Sequence, residues 1–243
     1  MKKSAKTQTV IVTGNSRSGT TIATKLLKAI GVKMIGDLGM HKDKWAPTGY
    51  EENRTAYKIN CAVFKDTGYA DFFKQCKTNR IARIKSALKT DMEKKIKKFV
   101  KDKKGLWGFK NPACAYLIEQ WIHNVENPYL IITSRNILRN SIANLNVWPN
   151  RLHDFHESLK VSIDIFNVIQ RSIENIKCPT CLIDFELARL DYSLTIDRLC
   201  TFLDIELSKE EKQKALKFID KQIIQKATST STDPVYIVNR DAE

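Results

Sequence analysis

The sequence predicts an α/β fold of three layers, α/β/α, in which a central parallel sheet lies between two layers of helices. Short runs of β-branched or apolar residues alternate along the chain with longer stretches of helical periodicity, and this alternation is typical of parallel sheets covered on both faces. A length of 243 residues with 42% apolar residues suits one such domain. We therefore expect a single domain over residues 1–243, with a basic helical segment at 77–104 and a polar tail from about residue 228.

The chain is predicted to open with a strand, a loop and a helix. Residues 7–13 are rich in β-branched side chains and lead into a glycine-bounded loop, which favours a strand that ends there. Ile22, Leu26 and Ile30 then recur at helical spacing until Gly31, a residue that suits the end of a helix.

The next part of the chain is predicted to hold a flap and two helices. We expect residues 32–49 to be irregular and to form an active-site flap, and residues 51–64 to be helical. A further amphipathic helix is indicated by apolar residues at steps of three and four, namely Ile81, Ile84, Leu88, Met92, Ile96 and Phe99.

The second half of the chain continues the alternation. Apolar runs predict buried strands at 106–109, 129–133 and 180–185. Helical periodicity predicts helices at 113–125, 137–147 and 154–176, and again over most of the chain from 186 to 227. Because helical stretches separate successive strands, we expect the strands to be parallel.

The charge of the chain points to anionic partners. Lys and Arg number 41 against 27 Asp and Glu, which gives a net charge of +14, and much of the excess lies within residues 77–104. Two interpretations of this segment stay open: a solvated helix face, or a surface for an acidic acceptor such as a glycan. Lysines dominate it and aromatic residues are scarce, so we expect no specific nucleic-acid recognition.

Cysteine usage and hydropathy limit the class of protein. Six cysteines are too few for a disulfide scaffold in a chain of this length. Cys178 and Cys181 have the spacing of a redox pair or of half a zinc site, but no second such pair completes a zinc site, so incidental thiols are the simpler interpretation. No apolar run approaches the length of a membrane span, and we expect a cytoplasmic protein without a metal cofactor.

The loop after the first strand has the composition of a phosphate site. It reads GNSRSGTT from Gly14 to Thr21 and opens the first helix, where backbone N–H groups and the helix dipole attract anions. The Gly-x4-Gly spacing is that of the nucleoside-triphosphate P-loop, but Thr20 stands where that motif needs lysine. Arg17 inside the loop supplies a cation instead. These features favour a donor with a single 5′-phosphate that carries a transferable group.

Several segments together resemble a known family. SRSGTT resembles the 5′-phosphosulfate loop of sulfotransferases that use 3′-phosphoadenosine 5′-phosphosulfate (PAPS). The segments PTGYEEN, WGFKNPACAYL and YLIITSRNILRNSIANL, and the late stretch from PTCLIDFELARL to LCTFLDI, are similar to bacterial members. The similarity spans roughly residues 8–207 in the same order. It implies a P-loop NTPase-like sulfotransferase fold, PAPS as donor and adenosine 3′,5′-bisphosphate as product.

The resemblance also implies roles for individual residues. The donor's 5′-phosphosulfate would be held by Ser16, Arg17, Ser18, Gly19, Thr20 and Thr21. Arg135 would bind the 3′-phosphate. Ala143 stands at the usual serine position, so that Arg139 or Ser141 is the candidate for that contact. Lys110 would contact the sulfuryl group or the donor, and Arg17 would neutralise charge at the bridging oxygen.

The residue that takes the acceptor proton has two candidates. Glu52 matches the family position, and His41 titrates near neutrality without help. We expect Glu51 to tolerate substitution, because adjacent positions of a helix point about 100° apart.

The acceptor itself is not readable from the sequence. A small-molecule or glycan acceptor is expected, bound by residues 36–50, 69–77 and 148–156. A nucleotide-dependent kinase and a non-enzymatic polyanion-binding protein are the alternative functions.

Overall fold

Strands and helices alternate along the chain around one parallel sheet. A computed structural model describes residues 6–36, 49–66, 91–147 and 154–219. The strands are β1 (Gln8–Gly14), β2 (Lys33–Met34), β3 (Leu106–Lys110), β4 (Pro128–Ser134) and β5 (Thr180–Asp184). All neighbouring strands pair in parallel, in the order β2-β3-β1-β4-β5.

Nine α-helices and one short 3-10 helix lie within these described ranges. The helices are α1 (Thr20–Ala29), α2 (Arg54–Asp66), α3 (Asp91–Val100), α4 (Ile118–His123), α5 (Ile137–Val147), α6 (Phe155–Asn175), α7 (Phe185–Leu190), α8 (Tyr192–Leu203) and α9 (Lys209–Ile219). The 3-10 helix spans Pro112–Tyr116. None of the helices in these ranges is long and apolar enough to cross a membrane.

Strand β1 lies at the centre of the sheet and is buried on both faces. Val10 and Val12 belong to one hydrophobic cluster, whereas Ile11 between them belongs to the other. Successive side chains of a strand point to opposite faces, so this alternation shows that helices cover each side. The three-layer α/β fold predicted from the sequence is therefore confirmed.

The two layers are packed by different kinds of residue. On one face, aliphatic residues of α1, α8 and α9 pack together with Val10 and Val12. On the other face, Phe99 of α3 packs edge-on against Trp107, Phe109 and Trp121, with ring centroids 5.4 to 6.0 Å apart. Aromatic pairs in this arrangement stabilise a core beyond their burial alone. This face carries α2, and with it the candidate residue Glu52 just before the helix.

Most predicted elements are present, with ends shifted by a few residues, but two predictions are wrong. The irregular segment predicted from residue 32 contains β2, whose Met34 pairs with Gly108. A strand of two residues is too short to show any periodicity. The single helix predicted at 113–125 is a 3-10 helix followed by α4, because Asn111 caps the first turn through its side chain and Leu117 leaves the helical conformation.

Part of the predicted basic helix and all of the polar tail lie outside the described residues. Within 77–104, residues 91–100 form α3 with exposed lysines, namely Lys94, Lys95, Lys97 and Lys98, around the buried Met92 and Ile96. The helical prediction is confirmed for that part, and residues 77–90 are not described.

The parallel arrangement brings the carboxyl ends of the strands to one edge of the sheet. Gly14, Lys110, Ser134 and Asp184 are the last residues of β1, β3, β4 and β5. Ligands of open α/β sheets bind at this edge. The loop, Lys110 and Arg135 predicted as site residues therefore share one side of the molecule.

Candidate active site

The loop between β1 and α1 needs glycine at both ends. Gly14 and Gly19 have φ angles of 150° and 98°. A Cβ atom on Gly14 would lie 2.4 Å from the Thr133 carbonyl oxygen, and one on Gly19 would lie 2.5 Å from the Phe185 ring. Arg17 between them is also left-handed, with φ 65°. The loop therefore packs closely against β4 and α7, and the glycines are required by contact as well as by torsion.

Hydrogen bonds fix the loop from inside. Ser18 is buried, and its hydroxyl donates to the Asn15 carbonyl oxygen at 2.6 Å and contacts the Thr133 hydroxyl at 2.7 Å. The Asn140 side chain donates to the Ser16 carbonyl oxygen at 2.8 Å and accepts from the Asn15 side chain at 2.5 Å. The Ser18 side chain therefore stabilises the conformation of the loop instead of facing a ligand.

The first turn of α1 has the features of an anion site. In the described part of the chain no side chain caps this helix at Gly19, and its first turn contains no acidic residue. The first N–H groups of a helix have no partner within the helix, and the helix dipole gives them a partial positive charge. Thr20 and Thr21 occupy this turn, with Thr20 buried and Thr21 partly exposed.

Lys110 is buried at the end of β3 and forms an ion pair with Glu52. Its side chain is 2% exposed, and Nζ donates to Glu52 Oε1 at 3.0 Å and to the Tyr50 carbonyl oxygen at 2.7 Å. Burial lowers the pKa of Lys110, and the neighbouring Glu52 carboxylate opposes this change. Two of the residues predicted for the chemistry are therefore in direct contact.

The glutamates lie in a turn before α2, whereas the sequence predicted a helix from residue 51. Asn53 caps α2, because its side chain accepts from the Ala56 N–H at 2.8 Å. The Asn53 N–H in turn donates to the Lys110 carbonyl oxygen at 3.2 Å. Glu51 has φ 56° and pairs with Lys28 of α1. The start of α2 is therefore attached to both β3 and α1.

Arg135 follows β4 and lies beside the loop. Its Nε donates to Glu186 Oε1 at 3.2 Å, and Nη1 lies 3.4 Å from the Arg17 carbonyl oxygen. The guanidinium stacks 4.7 Å above the Phe185 ring. Arg135 is thus oriented by α7 toward the loop. Glu186 and Phe185 were not predicted from the sequence, although their place directly after β5 puts them at the carboxyl edge.

Ser141 does not occupy a position that fits the predicted 3′-phosphate contact. It is fully buried, and its hydroxyl donates to the Ile137 carbonyl oxygen at 2.7 Å and lies 3.1 Å from the Ser162 hydroxyl. Helix α5 turns this side chain toward α6 instead of toward the loop. The residue of α5 that reaches the loop is Asn140, which the sequence argument missed.

A buried amide network supports the end of β3. The Asn60 side chain donates to Asn111 Oδ1 at 3.1 Å and accepts from the Trp121 indole at 2.9 Å. Asn111 also accepts from the Ala113 N–H. These bonds connect α2 and α4 to Asn111, the residue that follows Lys110. They therefore hold Lys110 and α2 in fixed positions relative to each other. The signal in the sequence was weak, since only the position of Asn60 on a helix with apolar neighbours suggested burial.

Two remaining candidates, Cys178 and Cys181, show no sign of a reactive pair, and His41 lies outside the described residues. Cys178 and Cys181 are free thiols, and burial raises the pKa of both, which disfavours the reactive thiolate. No group of three potential metal ligands occurs within the ranges that the structure covers.

The lowered pKa of Lys110 predicts a measurable dependence of stability on pH. Between the lowered pKa and the ordinary value of 10.5, the unfolded chain binds more protons than the folded one at this residue. The Lys110 contribution to the free energy of unfolding therefore rises with pH across this window. Urea unfolding of wild type and Lys110→Met at several pH values measures it, with Lys94→Met on α3 correcting for the loss of one lysine. A difference between wild type and Lys110→Met that stays constant up to pH 10.5 would contradict the prediction.

The fold is similar to those of three solved sulfotransferases. With STF1 from Mycobacterium tuberculosis H37Rv the TM-score is 0.53 at 11% identity, covering 91% of this chain and 77% of that one. With STF9 from Mycobacterium avium the values are 0.52 and 13%, covering 93% and 78%. With the sulfotransferase domain of the Synechococcus PCC 7002 olefin synthase they are 0.50 and 11%, covering 95% and 96%.

No protein-family model matches the chain, and no curated protein sequence matches it significantly. At identities this low, structural likeness shows the fold. The resemblance recognised in the sequence motifs is confirmed at that level, and the chain has the P-loop-like α/β fold of bacterial sulfotransferases.

Proposed function

We propose that the protein transfers a sulfuryl group from PAPS to a hydroxyl or amine of an acceptor. The observation that carries the proposal is the position of Arg135 beside a loop that lacks the P-loop lysine. Its Nη1 lies 3.4 Å from the Arg17 carbonyl oxygen, next to the uncapped N-terminus of α1. An anion site at the loop and a second cation at the neighbouring strand suit a donor that has one phosphate at each position.

The donor's 5′ end would lie at the first turn of α1. There the backbone N–H groups from Gly19 to Thr21 and the threonine hydroxyls would bind its phosphate. Arg17 would neutralise the charge that gathers on the bridging oxygen as the S–O bond breaks. An arginine keeps its proton at any working pH, so its role is electrostatic and it is not an acid.

The 3′-phosphate would be bound by Arg135. Its orientation is already fixed by Glu186 and by stacking on Phe185, so little side-chain entropy remains to be lost on binding. ATP carries no phosphate at that position, and this difference distinguishes the proposed donor from the nucleotide of a kinase.

Glu52 and Lys110 would act on the other side of the reaction. In the transfer, the acceptor oxygen or nitrogen bonds to sulfur while the bond from sulfur to the bridging oxygen breaks, and adenosine 3′,5′-bisphosphate leaves. The acceptor proton would go to Glu52. Lys110, 3.0 Å from Glu52, would place its ammonium near the sulfuryl oxygens, where negative charge accumulates.

The acceptor is proposed to be a small molecule or a glycan, and the basic charge of the chain favours an acidic one. Most of the residues predicted to form its pocket, at 37–48, 69–77 and 148–153, lie outside the described residues. The exposed lysines of α3 support an acidic acceptor. Helix α3 packs beside α2, the helix that follows Glu52.

The donor assignment predicts which nucleotide binds. Adenosine 3′,5′-bisphosphate should stabilise the protein in the absence of magnesium more than ATP with magnesium does, because only the first fills the Arg135 site. Thermal shift gives a first comparison, and calorimetry gives the dissociation constants. An acceptor screen with labelled PAPS follows from the same preparation. Equal stabilisation by both nucleotides would contradict the assignment.

Arg135 and Arg17 should separate binding from turnover. Arg135→Ala should weaken bisphosphate binding by about 1.5 to 3 kcal/mol, the range for hydrogen bonds to charged groups. Arg17→Ala should mainly lower kcat, because the charge it stabilises develops as the bond breaks. Arg198→Ala on the exposed face of α8 is the control. If Arg135→Ala and Arg17→Ala both change only the donor KM, Arg17 is a binding residue.

Glu52→Gln should lower kcat by about 100- to 10,000-fold, which is the range for a positioned general base. The glutamine oxygen can still accept from Lys110, so bisphosphate affinity should stay near the wild-type value. The measurement is steady-state transfer to the acceptor found in the screen. Near-normal turnover of Glu52→Gln beside an inactive His41→Ala would assign the base to His41 instead.

A further inference from the structure

The turn that carries Glu52 contains a residue in an unfavourable conformation. Glu51 has φ 56°, in the left-handed region, where a residue with a side chain costs about 1 to 2 kcal/mol. Such a conformation persists only where the surrounding structure determines it. From the sequence, Glu51 was expected to tolerate substitution as a neighbour of Glu52 in a helix over residues 51–64. The structure instead places it before α2, in contact with Lys28.

Two contacts hold Glu51 in this conformation. Its carboxylate pairs with Nζ of Lys28, and both side chains are partly buried, with 18% and 31% exposed. Lys28 lies in the last turn of α1, the helix that begins at the phosphate loop. On the backbone side, a Cβ atom on Gly36 would lie 2.9 Å from the Glu51 carbonyl oxygen, so the chain after β2 closes against the turn.

The groups on either side of Glu51 converge on one ammonium. The Tyr50 carbonyl oxygen and Glu52 Oε1 both accept from Lys110 Nζ, at 2.7 and 3.0 Å. Residue 51 separates these two acceptors, so its backbone torsions determine whether both can reach Nζ together. Thr21 of α1 adds a contact to the same carbonyl, at 3.4 Å.

We infer that Lys28 and Glu51 are positioning residues for Glu52: their ion pair holds the left-handed turn that sets the Glu52 carboxylate against Lys110. The geometry stands without reference to the reaction, and its catalytic meaning rests on the proposed function. Because Lys28 belongs to α1, the pair fixes the base relative to the helix whose first turn would hold the donor.

The Asn53 N–H reports directly on this turn. It donates to the Lys110 carbonyl oxygen at 3.2 Å, so it is protected from hydrogen exchange only while the turn is docked on β3. NMR-detected exchange compares Lys28→Met and Glu51→Gln with wild type. The Tyr57 N–H, bonded to the Asn53 carbonyl oxygen inside α2, is the internal control. Asp197→Asn removes the exposed Lys212–Asp197 pair and is the matched variant.

Both test variants should exchange the Asn53 N–H at least about 10-fold faster than wild type, a change that corresponds to roughly 1.4 kcal/mol in the opening equilibrium. Tyr57 should change little, Lys28→Arg should restore slow exchange, and Asp197→Asn should behave as wild type. Glu51→Gly and Glu51→Ala separate charge from strain. Both lose the pair, but glycine adopts a positive φ without cost, so the glycine variant should exchange more slowly than the alanine variant.

The catalytic consequence is measured by comparing the rate of sulfate release with the affinity for the bisphosphate. Release of labelled sulfate from PAPS to water needs no identified acceptor. It should fall about 10- to 100-fold in Lys28→Met and Glu51→Gln, the cost of a displaced catalytic group, and Lys28→Arg should recover it. Bisphosphate affinity should stay within about twofold of wild type, since the loop itself is unchanged.

The outcomes distinguish this inference from the proposed function. Wild-type exchange of Asn53 in both Lys28→Met and Glu51→Gln would overturn the role of the ion pair. Faster exchange with unchanged sulfate release would overturn the positioning role. A wild-type protein that binds no bisphosphate would overturn the proposed function, whatever the exchange rates show.

Discussion

The ion pair between the buried ammonium of Lys110 and Glu52 is the interaction on which the candidate site depends. A charge taken out of water is costly unless it is paired and hydrogen-bonded, and Lys110 is 2% exposed. Glu52 and the Tyr50 carbonyl oxygen meet that requirement, and in doing so they hold the start of α2 against the end of β3. Strand β3 pairs directly with β1. The ion pair between Lys110 and Glu52 therefore sets the Glu52 carboxylate at a fixed place relative to the loop that follows β1.

The loop is fixed by an independent set of polar contacts. Ser18 and Thr133 join it to β4, and Asn140 joins it to α5. One of these side chains, Ser18, was assigned to the ligand from the sequence motif. The first N–H groups of α1 still have no partner within the helix. Donors fixed before a ligand arrives lose little freedom when it binds, which favours tight recognition of a phosphate by backbone N–H groups.

Features with a local signal in the sequence were predictable, and features that depend on long-range contacts were not. The strand before the loop and the glycines at its ends follow from short-range patterns. The left-handed Glu51 does not, because it depends on Lys28, 23 residues earlier. Ser141 was a candidate only as a substitute for the serine missing at position 143, and helix α5 turns its side chain toward Ser162 of α6. Strand β2 has only two residues, and its pairing with β3 defines it.

A crystal structure with adenosine 3′,5′-bisphosphate bound tests the central claim most directly. The account predicts the 5′-phosphate at the backbone N–H groups of Gly19 to Thr21 and the 3′-phosphate on the Arg135 guanidinium. It also predicts that Lys110 and Glu52 lie at the open 5′ end, where the sulfuryl group of the donor would project. A bisphosphate bound with its 3′-phosphate away from Arg135, or with its 5′-phosphate away from the first turn of α1, would contradict the account.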